Sequence, residues 1–106
     1  MLFRSPARFV IHAVGPVWHG GGAGEAAALA SCYRASLACL TEADGRSIAF
    51  PAISTGIYGF PLERATEVAV AAVREGLAAE PAIERVVFCV FGSEAEAAYR
   101  AALERA

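Results

Sequence analysis

No cluster of basic residues occurs anywhere in the 106-residue chain, and its formal charge is −2. That excludes the electrostatic footprint of a general nucleic-acid binder. A small anionic ligand stays possible, because backbone amides hold phosphate without basic side chains. Cysteine is scarce. Cys32, Cys39 and Cys89 have no CxxC spacing, so neither a zinc site nor a thioredoxin-type motif is indicated. They read as buried small hydrophobes of a reducing, cytoplasmic compartment, with Cys32 and Cys39 on one helix face. Residues 1–8 hold two arginines with no apolar run of leader length behind them. Nothing reaches the length of a membrane span. Neither a secretion signal, nor membrane association, nor an internal repeat is expected.

Apolar residues, by contrast, make up 57% of the chain, far too many for a disordered protein. The length suits a single domain over residues 1–106. Residues 9–14 (FVIHAV) read as a buried strand closed by Gly15 and Pro16. A glycine-rich loop follows at 19–24, then a helix over 25–43 with Ala28, Cys32, Ala35 and Cys39 as its apolar stripe. Asp44 and Gly45 end that helix. Residues 47–52 (SIAFPA) form a second strand, apolar on both faces as inside a parallel sheet, with Pro51 marking its end.

A second helix starts at Leu62 with Leu62, Ala65, Ala69, Val73 and Leu77 inward, and Pro61 suits its first turn. Residues 84–91 contain a third strand. Residues 94–104 form a last helix, with Ala95, Ala98, Tyr99, Ala102 and Leu103 inward. Strand–helix three times over argues a parallel sheet covered by helices. Ligands of such sheets bind at the carboxyl ends of the strands.

Two glycine-rich loops compete for that role. Residues 20–24 have no GxGxxG register and no Lys-Ser or Lys-Thr after them, so they read as a flexible connector. Glu25 and Glu63 lie near helix starts, where acidic residues complement the dipole. The second loop, Ser54-Thr55-Gly56-Ile57-Tyr58-Gly59, leaves a buried strand directly and enters a helix soon after. Its small residues let the backbone approach a ligand, and its amides can converge on one anion. An ordinary strand-to-helix turn fits the same composition equally well.

Residues 10–18 (VIHAVGPVW) and 47–61 (SIAFPAISTGIYGFP) resemble the macrodomain family. They are closest to its branch of O-acetyl-ADP-ribose deacetylases and mono-ADP-ribosyl hydrolases. The pairs Cys32-Tyr33 and Ser36-Leu37 and the run 86–91 (VVFCVF) match that branch in order and spacing. The resemblance covers nearly the whole chain, and its specific part is the loop that begins at Ser54. It implies a three-layer α/β/α fold, of which about three parallel strands and three helices fall in this chain. The strand at 47–52 then lies beside that at 86–90.

The resemblance also implies a ligand, ADP-ribose or a derivative, with an ADP-ribosylated protein as a possible partner and no cofactor or metal. Ser54, Thr55, Gly56, Ile57 and Tyr58 would take the diphosphate and distal ribose, and Phe91 would stack on the adenine. A core position for Phe91 remains the alternative. His12 matches a family histidine but reads as a sheet residue, not a catalyst. The departures weigh as much. Members of this branch extend further at the N-terminus, where an Asn-Ala-Ala-Asn strand end and a Gly-Gly-Gly-Val-Asp-Gly loop supply the asparagine and aspartate of catalysis. Neither motif occurs here, so the chain reads as truncated ahead of the family's fourth strand, and its catalytic residues stay unassigned. Three readings follow: part of a hydrolase, a binding module without chemistry, or an inactive fragment.

Overall fold

The computed structural model describes residues 10–56 and 58–105. Residues 1–8, Phe9 at the head of the expected first strand, and Ile57 in the expected ligand loop lie outside the described residues. Among the described residues five elements follow one another: α1 (Glu25–Glu42), β1 (Ser47–Phe50), α2 (Leu62–Ala79), β2 (Arg85–Phe88) and α3 (Ser93–Glu104). The strands pair in parallel, in the register Ser47↔Arg85, Ile48↔Val86, Ala49↔Val87 and Phe50↔Phe88. A further bond from the Cys89 amide to the Phe50 carbonyl, 2.7 Å, extends the ladder. The expected neighbourhood of these two strands is therefore present. α2 lies between α1 and α3.

Aromatic rings join the helices to the sheet. Tyr33 of α1 meets Phe50 edge-on at 4.9 Å between centroids, and Tyr99 of α3 meets Phe88 at 4.9 Å. Leu29, Leu37, Val73 and Ile83 complete the core around them. The buried stripe of α1 is Leu29, Tyr33, Ser36, Leu37 and Leu40, which corrects the expectation of Ala28, Cys32, Ala35 and Cys39. Both stripes have helical period and they sit side by side. The larger side chains take the inner position because the gain from burial scales with apolar area. Ala28, Ala35 and Cys39 are exposed in consequence, Cys32 is half-buried, and Cys89 is exposed. The reading of the cysteines as buried fails with that stripe. α2 keeps Ala65, Ala69 and Val73 inward as expected, while Leu103 of α3 is exposed.

Two further expectations need correction. Residues 10–14 join no strand ladder, so the sheet has two strands among the described residues rather than three. Val10 and Val14 are about four-fifths exposed. The segment instead runs along the outer side of α1, where the Cys32 thiol donates to the Val14 carbonyl at 3.2 Å. Between them opens a groove of about 290 Å³ that includes His12 and Cys39. His12 is exposed, not a satisfied sheet residue. The sheet is also covered on one side only. Ile48, Phe50, Val86 and Phe88 face the helices, whereas Ser47, Ala49 and Arg85 are exposed. The described residues thus form two layers, not three. No helix among them is long and apolar enough to cross a membrane.

Candidate functional site

Parallel strands send their carboxyl ends to one edge of the sheet, and both expected ligand segments leave from that edge. Residues 51–61 follow β1, and Phe91 follows β2 by three positions. Burial of Phe50 and Phe60 anchors the two ends of the loop, and backbone bonds shape what lies between. The Thr55 hydroxyl donates to the Ala52 carbonyl at 3.0 Å. The Phe60 amide donates to Ser54 at 2.9 Å, and the Gly59 amide to Gly56 at 3.0 Å. The loop thereby doubles back on itself within seven residues.

Its left-handed positions are Ser54, φ 67°, and Gly59, φ 75°. Gly56 is not among them, and a Cβ placed there would meet no described atom within 4 Å. Glycine at 56 is therefore not demanded by the turn itself. What it leaves is a bare stretch of exposed backbone. Tyr58 is 38% exposed beside it. Phe91 is 96% exposed, which removes the core alternative for that ring. The first turn of α2 begins just past the loop, and Pro61 takes the cap position before that turn. Among the described residues no side chain caps the helix, which leaves its N-terminal amides and their partial positive charge without a side-chain partner there.

Residues that sequence reasoning left aside hold this loop from behind. A Cβ on Gly15 would run into Ser54 Oγ and the Ile53 side chain, so the backbone at 15 touches the loop directly. The Trp18 amide donates to the Tyr58 carbonyl at 2.9 Å. The Trp18 ring packs on Phe60, with centroids 4.8 Å apart, and carries the Arg64 guanidinium at 5.3 Å.

The glycine-rich segment at 19–24 is organised rather than slack. Its amides converge on the Glu25 carboxylate: His19 at 2.8 Å, Gly21 at 2.9 Å and Ala23 at 2.7 Å. The residue is 2% exposed. The amides of His19 and Gly21, helped by those of Glu25 and Ala23, outweigh burial and hold its carboxyl down to about 2, against an ordinary value of 4.5. This is the geometry of an anion-binding nest, with the chain's own carboxylate as the anion. Those amides are occupied, so no phosphate role falls to this loop. Glu25 itself does more than complement a helix dipole. The signal in the sequence was a run of side-chain-poor residues ending in one acidic group.

The Macro domain family profile matches residues 1–69. A macro domain-containing protein of Chlorobaculum tepidum is 57% identical over 101 residues, which cover 95% of this chain and 59% of that protein. The O-acetyl-ADP-ribose deacetylase of Klebsiella pneumoniae is 53% identical over 95 residues, 90% of this chain and 54% of that enzyme. Among solved structures, a mutant macrodomain of Oceanobacillus iheyensis with ADPR superposes with a TM-score of 0.87 at 33% identity. That match covers 94% of this chain and 53% of the other. The chain thus spans a little over half the length of the relatives it matches.

Proposed function

Because the chain belongs to the Macro domain family, we propose that it is an ADP-ribose-binding part of an O-acetyl-ADP-ribose deacetylase or ADP-ribosyl hydrolase. Ser54, Thr55, Gly56, Ile57 and Tyr58 take the diphosphate and distal ribose, and Phe91 stacks on the adenine. The observation that carries this reading is the loop at 54–60. It is doubled back by its own backbone bonds, it leaves Gly56 bare, and it lies at the same sheet edge as an exposed ring. The similarity to an O-acetyl-ADP-ribose deacetylase of Klebsiella pneumoniae and to an Oceanobacillus macrodomain with ADPR supports the same reading. The loop's contribution is to hold the ligand in place, a matter of positioning rather than proton transfer.

No described acidic group is assigned a catalytic role. The Glu25 carboxylate is engaged by three amides, and Glu63 is an exposed residue in the first turn of α2. The chain as it stands is therefore proposed to bind without releasing acetate from O-acetyl-ADP-ribose.

Gly56→Glu tests the assignment. A Cβ at position 56 meets no described atom within 4 Å and the backbone there is not left-handed, so the fold should survive, and circular dichroism checks that it does. Toward the ligand, the variant sets a carboxylate against a diphosphate. Losing two charge-assisted hydrogen bonds at about 1.5–3 kcal/mol each corresponds to an affinity drop of about a hundredfold or more. Calorimetric titration with ADP-ribose reads it. A folded variant with unchanged affinity would show that the loop is only a turn.

A further inference from the structure

We infer that Glu25 is a positioning residue for the ligand loop, acting through the 19–24 segment and Trp18 on Tyr58. This rests on the reading of that loop as the ADP-ribose site. The route is continuous in hydrogen bonds and ring contacts. Three amides, of His19, Gly21 and Ala23, end on the one carboxylate. The path from them to Glu25 bends through Gly20, Gly21 and Gly24, with φ of 93°, 94° and 77°, a region that residues with a Cβ enter at a cost. The segment is thus shaped around the carboxylate rather than merely near it.

Trp18 is the next residue upstream. Its backbone is tied to the Tyr58 carbonyl at 2.9 Å, and its ring packs on Phe60 and lies under the Arg64 guanidinium. Gly21 closes against the edge of that ring beside Arg64, since a Cβ on it would sit 3.0 Å from Trp18 Cη2 and 3.3 Å from the guanidinium. Removing the carboxylate leaves three amides without their acceptor. The segment then has to open to water to satisfy them. Gly21 moves off the indole, Trp18 loosens, and the Tyr58 carbonyl loses the donor that sets the direction of the loop. Glu25 touches no part of the proposed ligand site in this scheme. Its effect reaches the site only through Trp18.

Two variants graded in severity test it. Glu25→Gln keeps the size and one carbonyl oxygen, but turns an NH2 group toward one of the three amides. Glu25→Ala removes every acceptor. ADP-ribose affinity is read by calorimetry, exchange of the Trp18 amide by nuclear magnetic resonance, and helix content by circular dichroism. The expected order is wild type tightest, Glu25→Gln weakened several-fold and Glu25→Ala by about tenfold or more. Trp18 amide exchange accelerates in the same order while helix content holds.

Wild-type affinity in folded Glu25→Ala overturns the inference, and so does weakened binding with unchanged exchange at Trp18. If Glu25→Ala does not fold, the same two outcomes are decided on Glu25→Gln. Should the wild-type chain itself fail to bind ADP-ribose, the proposed function falls instead. The inference is then decided by exchange alone, and an unchanged Trp18 amide in the variants rejects it.

Discussion

Ser54 sits at φ 67°, a conformation that costs a residue with a Cβ roughly 1–2 kcal/mol. Two neighbours hold it there: the bond from the Phe60 amide to its carbonyl, and the backbone of Gly15 pressed against its side chain. Its hydroxyl is buried without a partner among the described residues. Strain retained in this way is typical of binding segments.

Glu25 shows the opposite economy, with every backbone partner engaged and a carboxyl held at about 2. A carboxyl depressed on folding adds stability that is full above its unfolded value, near 4.5, and fades as pH falls toward the folded value. No charged side chain contributes to that shift, since its causes are backbone amides opposed by burial. The 19–24 segment is therefore expected to loosen between pH 4.5 and about 2. Trp18, the sole tryptophan of the chain, reports it by a red shift in emission. Glu25→Gln should lack the transition. The sequence shows only side-chain-poor residues ending in one acidic group, and no more than that, because a nest is made of main-chain directions and the sequence names only side chains.

Helix ends were the most legible elements. Asp44 and Gly45 mark a stop in the sequence, and the structure closes α1 there with the Gly45 amide on Leu40 at 2.9 Å and the Asp44 amide on Thr41 at 3.0 Å. That pair of bonds is a Schellman closure. The left-handed position, however, is Asp44, φ 59°, and not the glycine after it. Asp44→Gly is expected to stabilise the chain by about 1 kcal/mol, and the measurement is a rise of a few degrees in Tm.

The starts of α2 at Leu62 and of β1 at Ser47 were equally plain. Residues 10–14 were not, although they are as apolar as β1. A helix closes its own hydrogen bonds, whereas a strand exists only by pairing. Composition reveals the inclination of a segment and says nothing of the partner. The faces of α1 misled for a related reason. Periodicity gives the spacing of a stripe, but two stripes one residue apart are separated only by the size of their side chains.

For the whole molecule, four rings connect the layers. Tyr33, Phe50, Phe88 and Tyr99 link α1, both strands and α3, and Tyr33 is fully buried. Tyr33→Ala should cost about 3–5 kcal/mol. A chain of this length has roughly 5–15 kcal/mol in all, so the urea midpoint should fall by about a fifth or more. The family was legible from the loop at 54–60 and its flanks, and the pairing of β1 with β2 followed. The layer count was not, because it depends on what covers Ser47, Ala49 and Arg85, and the sequence of a strand does not name its cover.

That β1 and β2 pair only with each other among the described residues has a consequence in isotope exchange. Successive amides of a strand point to opposite edges, so a strand with one neighbour bonds about every second amide. Along β1 and β2, deuterium uptake should alternate between slow and fast from residue to residue. Any polypeptide that paired with an outer edge would slow the fast set and leave the slow set as it was. The alternation is therefore a built-in gauge, readable without any attached probe, of whether the sheet in solution ends where these two strands end.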